Sequence, residues 1–158
     1  MSEGFAFAIP LILLFEGGYV ADDGGRGPTN MGINSMANPG VDVKSLTRGQ
    51  AEAIYEAQYW DALDLDDLSL PVAVAVFDGA VNHGPQTSVK LLQSALGIPA
   101  DGVVGPITAA SSKRLGALEA YCAARALRYA QHPQFALYGP TWMRRLLSCY
   151  TYCRGLPA

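Results

Sequence analysis

One glutamate, Glu16, stands between an unbroken apolar run and a glycine loop that carries two aspartates, in the stretch Leu13-Leu14-Phe15-Glu16-Gly17-Gly18-Tyr19-Val20-Ala21-Asp22-Asp23-Gly24-Gly25. A carboxyl at the lip of an apolar pocket has its charged form disfavoured by desolvation, so it keeps a proton near neutral pH and can act as a general acid. Glu16 is the candidate for that role. The macrodipole disfavours negative charge at a helix C-terminus, so a glutamate placed there wants a reason. Gly17 and Gly18 leave room for a bulky substrate, and Tyr19 offers a ring with a hydrogen-bonding edge suited to sugars. Asp22 and Asp23 are candidates for the second carboxylate that glycoside hydrolysis employs as base, nucleophile or cation stabiliser. The competing reading is that Asp-Asp-Gly-Gly is turn chemistry alone. A calcium loop fits poorly, because the Asp-x-Asp-x-Asp-Gly spacing and its terminal Glu are missing.

Further along, Asp78 and Asn82 are i, i+4 neighbours on a very apolar segment, where they either line a cleft or tie loops down. Tyr59-Trp60 is either a sugar platform or part of the core. Cys122, Cys149 and Cys153 are odd in number and crowd toward the C-terminus, unlike a disulfide framework, and read as buried thiols of a reducing compartment. Neither they nor His83 and His132 have the spacing of a structural zinc set. No metal and no cofactor is expected.

The elements that must position these groups are helical. The run Phe5–Phe15, eleven apolar residues including Pro10, reads as a buried helix; it is far shorter than the roughly 20 residues a bilayer span needs. It also lacks a basic n-region and a cleavage site, so a signal peptide fits poorly and no stable membrane insertion is expected. Glycines and prolines from Gly17 to Gly32 predict one long loop. Thr47 and Gln50 have capping-box spacing ahead of a helical stripe from Ala51 to Leu63. Pro71 opens a helix through Val72-Ala73-Val74-Ala75-Val76-Phe77, and a third helix ends at Gly97. Pro106 starts a fourth, Leu115–Tyr129 reads as a fifth, and a stripe from Trp142 to Cys153 closes the chain. The fold class predicted is mainly α. With 158 residues, half of them hydrophobic, one domain is expected, and a net charge of −3 argues against a nucleic-acid partner.

Taken together, Glu16-Gly17-Gly18-Tyr19, Gly24-Gly25 and Thr29-Asn30-Met31-Gly32-Ile33 resemble the opening motif of the glycoside hydrolase family 108 muramidases, lysozyme-like enzymes found as phage endolysins and in some bacterial secretion systems. Tyr59-Trp60, Phe77-Asp78 with Asn82-His83-Gly84, the Asp101–Thr108 segment, and Trp142 with Arg145 continue the likeness. The loop departs from the family pattern: it is shorter, and Arg26-Gly27-Pro28 intervenes before Thr29. Counting forward from Tyr19 selects Asp22, whereas counting back from Thr29 reaches Gly24, so Asp22 is the first choice and Asp23 the second.

The resemblance implies a single lysozyme-like α-helical domain, with residues 1–84 as catalytic part and residues 85–158 as a peptidoglycan-binding-like part packed on it. It implies Glu16 as the acid, Asp22 or Asp23 as its partner, and Tyr19, Thr29, Asn30, Tyr59, Trp60, Asp78 and Asn82 along the cleft. The substrate implied is the β-1,4 bond between N-acetylmuramic acid and N-acetylglucosamine in peptidoglycan glycan strands, attacked by a monomer. A lytic transglycosylase, which needs only one acid, and a non-catalytic wall-binding module are the alternatives. An endolysin of this kind accumulates in the cytoplasm and reaches the wall through a holin or a similar route.

Overall fold

The computed structural model describes residues 1–25 and 27–157, so Arg26 of the loop insertion and the terminal Ala158 lie outside the described residues. The apolar run folds as α1 (Glu3–Phe15), capped where the Ser2 hydroxyl accepts the Phe5 N–H at 3.1 Å. Pro10 sits within it on an exposed face, where the carbonyl it leaves unpaired can meet water.

A short hairpin follows, β1 (Thr29–Asn30) against β2 (Ile33–Asn34), in the stretch expected to be loop throughout. Its two turn residues, Met31 and Gly32, both have positive φ (47° and 75°), the requirement of a type I′ turn. A methionine in that conformation is a weak sequence signal, which is why the hairpin is not legible from propensity.

The expected capping box is present: Thr47 Oγ1 accepts from Gln50 N at 3.4 Å and Gln50 Oε1 from Thr47 N at 2.9 Å, opening α2 (Arg48–Tyr55). The helix does not continue to Leu63 as its periodicity predicts. It widens into a π-helical turn over Glu56–Trp60 and then tightens into 3₁₀ turns at Asp61–Leu63 and Leu65–Asp67. The cause is packing. Five residues on an α-helix rotate a side chain by roughly 140°, whereas a π turn brings residues five apart into line. Tyr55 and Trp60 thus both reach Phe77, each edge-on at 87°.

At the centre lies α3 (Leu70–His83), whose residues from Val72 to Ala80 are all buried. It packs against α1, α4 (Pro85–Ala95), α6 (Ala117–Ala130) and α7 (Phe135–Arg154). Pro71 lies in its first turn as expected, and Gly97 (φ 69°) follows the end of α4. Gly79 allows a close approach: a Cβ there would meet the Tyr121 hydroxyl and, at 2.7 Å, Ser88 Oγ. The connector to α5 (Pro106–Ser112) is pinned by the buried Gln93, whose amide donates to Asp101 Oδ1 at 2.7 Å and accepts from Gly102 N at 2.8 Å. All three cysteines are free and buried. Among the described residues no helix is long and apolar enough to cross a membrane.

Candidate active site

α1 ends at Glu16, whose extended backbone (φ −83°, ψ 129°) still donates its N–H to Ile12 O at 3.0 Å. The helix is not buried all round as the apolar run predicts, with Leu14 exposed at its end, but its buried Ile9, Leu11 and Ile12 fix where the Glu16 side chain starts. Its Oε1 accepts from Arg145 Nη1 of α7 at 2.9 Å, and the Arg145 guanidinium lies over the Phe15 ring at 4.9 Å. Arg145 Nε donates to Asp78 Oδ1 at 2.8 Å, and Arg125 Nη2 of α6 donates to Asp78 Oδ2 at 2.7 Å.

Four charges of alternating sign thus run from the surface into the core. The Glu16 and Arg145 side chains are 19% and 15% exposed, while Asp78 and Arg125 are fully buried. Two carboxylates against two guanidiniums leave no net buried charge, the condition under which such a network can persist. Burial works against the charge on Arg145, but the Asp78 and Glu16 carboxylates outweigh it and hold the guanidinium above its ordinary value.

The hairpin closes over Glu16 from the other side. Met31 N donates to Gly17 O at 3.0 Å, and the Tyr55 hydroxyl donates to Met31 O at 3.0 Å. A Cβ at Gly32 would collide with the Tyr55 hydroxyl and would lie 2.7 Å from Glu16 Oε2, so only glycine lets the turn sit there. Burial raises the Tyr55 phenol above its usual range and the Glu16 charge adds to this; the same two causes, in the same order, raise Tyr59. Both rings stay protonated beside the carboxyl. Glu16 therefore does not sit in the purely apolar pocket expected from the run before it: a guanidinium, two phenols and a glycine turn surround it.

The aspartate loop is built differently. A bridge between Val20 and Thr29 closes it, and Asp22 Oδ1 accepts from Gly25 N at 2.9 Å and Gly27 N at 3.3 Å. Asp22 is thereby engaged in shaping the loop, as turn chemistry predicts. Asp23 is exposed and its carboxylate has no partner among the described residues.

Of the other expected cleft residues, Tyr19 is exposed and Tyr59 is half-buried near Glu16. Thr29 Oγ1 accepts from Asn34 Nδ2 at 3.0 Å, and Asn30 Nδ2 donates to Val43 O at 2.9 Å, so both brace the hairpin. Asn82 is exposed, with Nδ2 on Asp78 O at 2.8 Å. Trp60 is corrected from platform to core: it is 1% exposed and packs edge-on against Phe5 and Phe77. Asp78 likewise does not line the cleft but reaches Glu16 through Arg145. Arg145, Arg125, Tyr55 and Gly32 carry positioning roles that residue spacing alone did not assign. For Arg125 the signal was present, an arginine on the stripe Tyr121, Cys122, Tyr129 of an amphipathic helix.

Residues 9–84 match the sequence model of the family described as glycosyl hydrolase 108. The solved structure of SagA from Brucella abortus matches with a TM-score of 0.81 at 32% identity, over 95% of this chain and 93% of that one. No curated protein matches the chain. The family match takes in Glu16, the hairpin and Asp78, and stops short of both arginines.

Proposed function

This chain belongs to the glycosyl hydrolase 108 family and is a glycoside hydrolase, and from that membership we propose that it is an N-acetylmuramidase of the endolysin type. Its substrate in this reading is the β-1,4 bond between N-acetylmuramic acid and N-acetylglucosamine in peptidoglycan. The observation that carries the reading is a single glutamate held at the end of a core-anchored helix by Arg145 on one side and the Gly32 turn on the other.

Glu16, which must first take up a proton from solvent in place of its ion pair with Arg145, passes it to the glycosidic oxygen as the bond to the muramyl anomeric carbon breaks. Arg145, 2.9 Å away, steadies the carboxylate left behind. The sugar acquires oxocarbenium character, which a loop carboxylate stabilises in this reading. The second carboxylate of a glycosidase either attacks the anomeric carbon directly, at a separation of about 5–5.5 Å, or activates a water, at about 6.5–9.5 Å; an exposed loop aspartate suits the second role. Asp23, whose carboxylate has no partner among the described residues, activates a water; Asp22 shapes the loop that presents it.

The experiment is muropeptide analysis of purified sacculi. Reducing muramic ends support the reading, and Glu16→Gln should abolish release while leaving the fold intact. Anhydro-muramic ends would instead make the enzyme a lytic transglycosylase, and undiminished release by Glu16→Gln would overturn the assignment. The endolysin role is checked by expressing the chain inside cells, which should stay intact until the membrane is permeabilised.

A further inference from the structure

Beside the charge partners of Glu16 lies a cavity of about 270 Å³, walled by Asn82, His83, Arg128, Tyr129, His132 and Trp142. Asn82 stands one turn beyond Asp78 on α3, and Trp142 one turn before Arg145 on α7. Because Arg145 bridges Asp78 and Glu16, the cavity begins about 5 Å, one helical turn, from the catalytic charge chain.

Its back wall is rigid and aromatic. The Trp142 ring stacks with Tyr129 (centroids 5.4 Å apart, 27°) and with Tyr138 (5.8 Å, 30°), and His132 meets it edge-on at 5.0 Å. The polar tips around that wall are largely uncommitted. Arg128 is exposed and makes no ion pair or hydrogen bond among the described residues. His83 Nε2 is shielded from solvent and has no partner. His132 Nδ1 accepts from Gln134 N at 3.2 Å, which leaves its Nε2–H free to donate. Asn82 commits one amide hydrogen to Asp78 O and keeps its remaining donor and its carbonyl.

The field there is positive. No acidic side chain lines the cavity, and the nearest carboxylate, Asp78, is already matched by two guanidiniums. His83 registers the same field: burial first, and then the repulsion of Arg125 and Arg128, push its imidazole down to about 4, so it is neutral at neutral pH. A small cavity with an unpaired guanidinium, two donor-bearing imidazoles and no counter-anion fits a carboxylate, which can take paired hydrogen bonds from arginine.

We infer that this cavity is a carboxylate-binding subsite that grips the peptide stem of the glycan strand beside the scissile bond. The inference rests on the peptidoglycan reading above, because in that polymer every muramyl sugar carries a lactyl group from which an acidic peptide extends. It assigns the enzyme a preference for strands that still bear stems. The lactyl carboxylate exposed when a stem is removed shares the same chemistry and is the alternative source.

The test compares wild type, Arg128→Gln and Arg128→Lys on sacculi with intact stems, on strands whose stems an amidase has removed, and, for binding alone, with a muramyl dipeptide that has a free carboxylate. Wild type should favour intact strands. Arg128→Gln should raise KM on them about tenfold and bring the intact-to-stripped preference close to one, and Arg128→Lys should recover part of it. Loss confined to the stripped strands would move the contact to the lactyl carboxylate and overturn the stem assignment; equal loss on both would move it to the glycan and overturn the carboxylate subsite, as would no change on either.

Both histidines of the chain line this cavity, so their imidazole NMR signals report on it without interference. The dipeptide should shift both, and N-acetylglucosamine oligomers should shift neither; unmoved signals with the dipeptide would again overturn the subsite. This readout needs no turnover, so a wild type that binds the dipeptide but releases nothing from sacculi would sink the muramidase reading and leave the subsite standing.

Discussion

The two halves of the cleft are held by opposite means. Glu16 is fixed by partners from remote parts of the chain: α7 supplies Arg145, α3 supplies Asp78, and α6 supplies Arg125 behind them. The aspartate loop is fixed by its own backbone, through the Asp22 carboxylate and the Val20–Thr29 bridge, and its carboxylates are exposed. A proton donor must stand within hydrogen-bond reach of one particular oxygen, so its error in position has to be small. A carboxylate acting through water tolerates a looser mount. On the proposed mechanism, the difference in construction follows the difference in task.

The strongest challenge to this contrast is Asp78→Ala. It strands Arg125 without a counter-charge and frees Arg145 to pull Glu16 aside, so stability should fall by about 3–5 kcal/mol in urea unfolding. If Asp22→Asn is equally destabilising, the loop is no less structural than the core and the contrast fails.

Next in size is the loop itself. Asp23→Asn should lower kcat about 100-fold with the unfolding midpoint unmoved, as expected of a lost general base, whereas Asp22→Asn should chiefly loosen the loop and reduce kcat less. The reverse order would transfer the base to Asp22.

The smallest effect separates the glycines. Gly32→Ala places a Cβ at φ 75° against Tyr55 and Glu16 and should cost about 1–3 kcal/mol, with a drop in wall-degrading activity. At Gly17 a Cβ meets nothing within 4 Å, so Gly17→Ala should stay within about 0.5 kcal/mol of wild type in the same unfolding assay.

What the sequence made legible is what short-range chemistry decides. The Thr47–Gln50 capping box, the prolines at the starts of α3 and α5 and the glycine after α4 act within a turn or two, and each stands where its residue type predicts. Glu16 at the end of an apolar helix was readable for the same reason. The hairpin was not, because residues far from it hold its turn: Gly17 receives Met31 N, and Tyr55 reaches Met31 O. The π turn was missed because helical periodicity assumes a constant angle per residue, while Phe77 draws in both Tyr55 and Trp60. Trp60 was ambiguous in sequence because an aromatic suits a sugar platform and a core equally, and only burial distinguishes them. The ion chain was out of reach too, since an arginine does not announce a glutamate 129 positions away.

That chain also bears on inheritance. Residues 9–84, the segment with the family signature, contain Glu16 and Asp78 but neither guanidinium that pairs with them. Transplanted alone, the segment would carry Asp78 into the core and Glu16 to its edge without their counter-charges. The recognisable part of this enzyme is therefore not a transferable cassette, and drift at any one of the four positions is constrained by the other three.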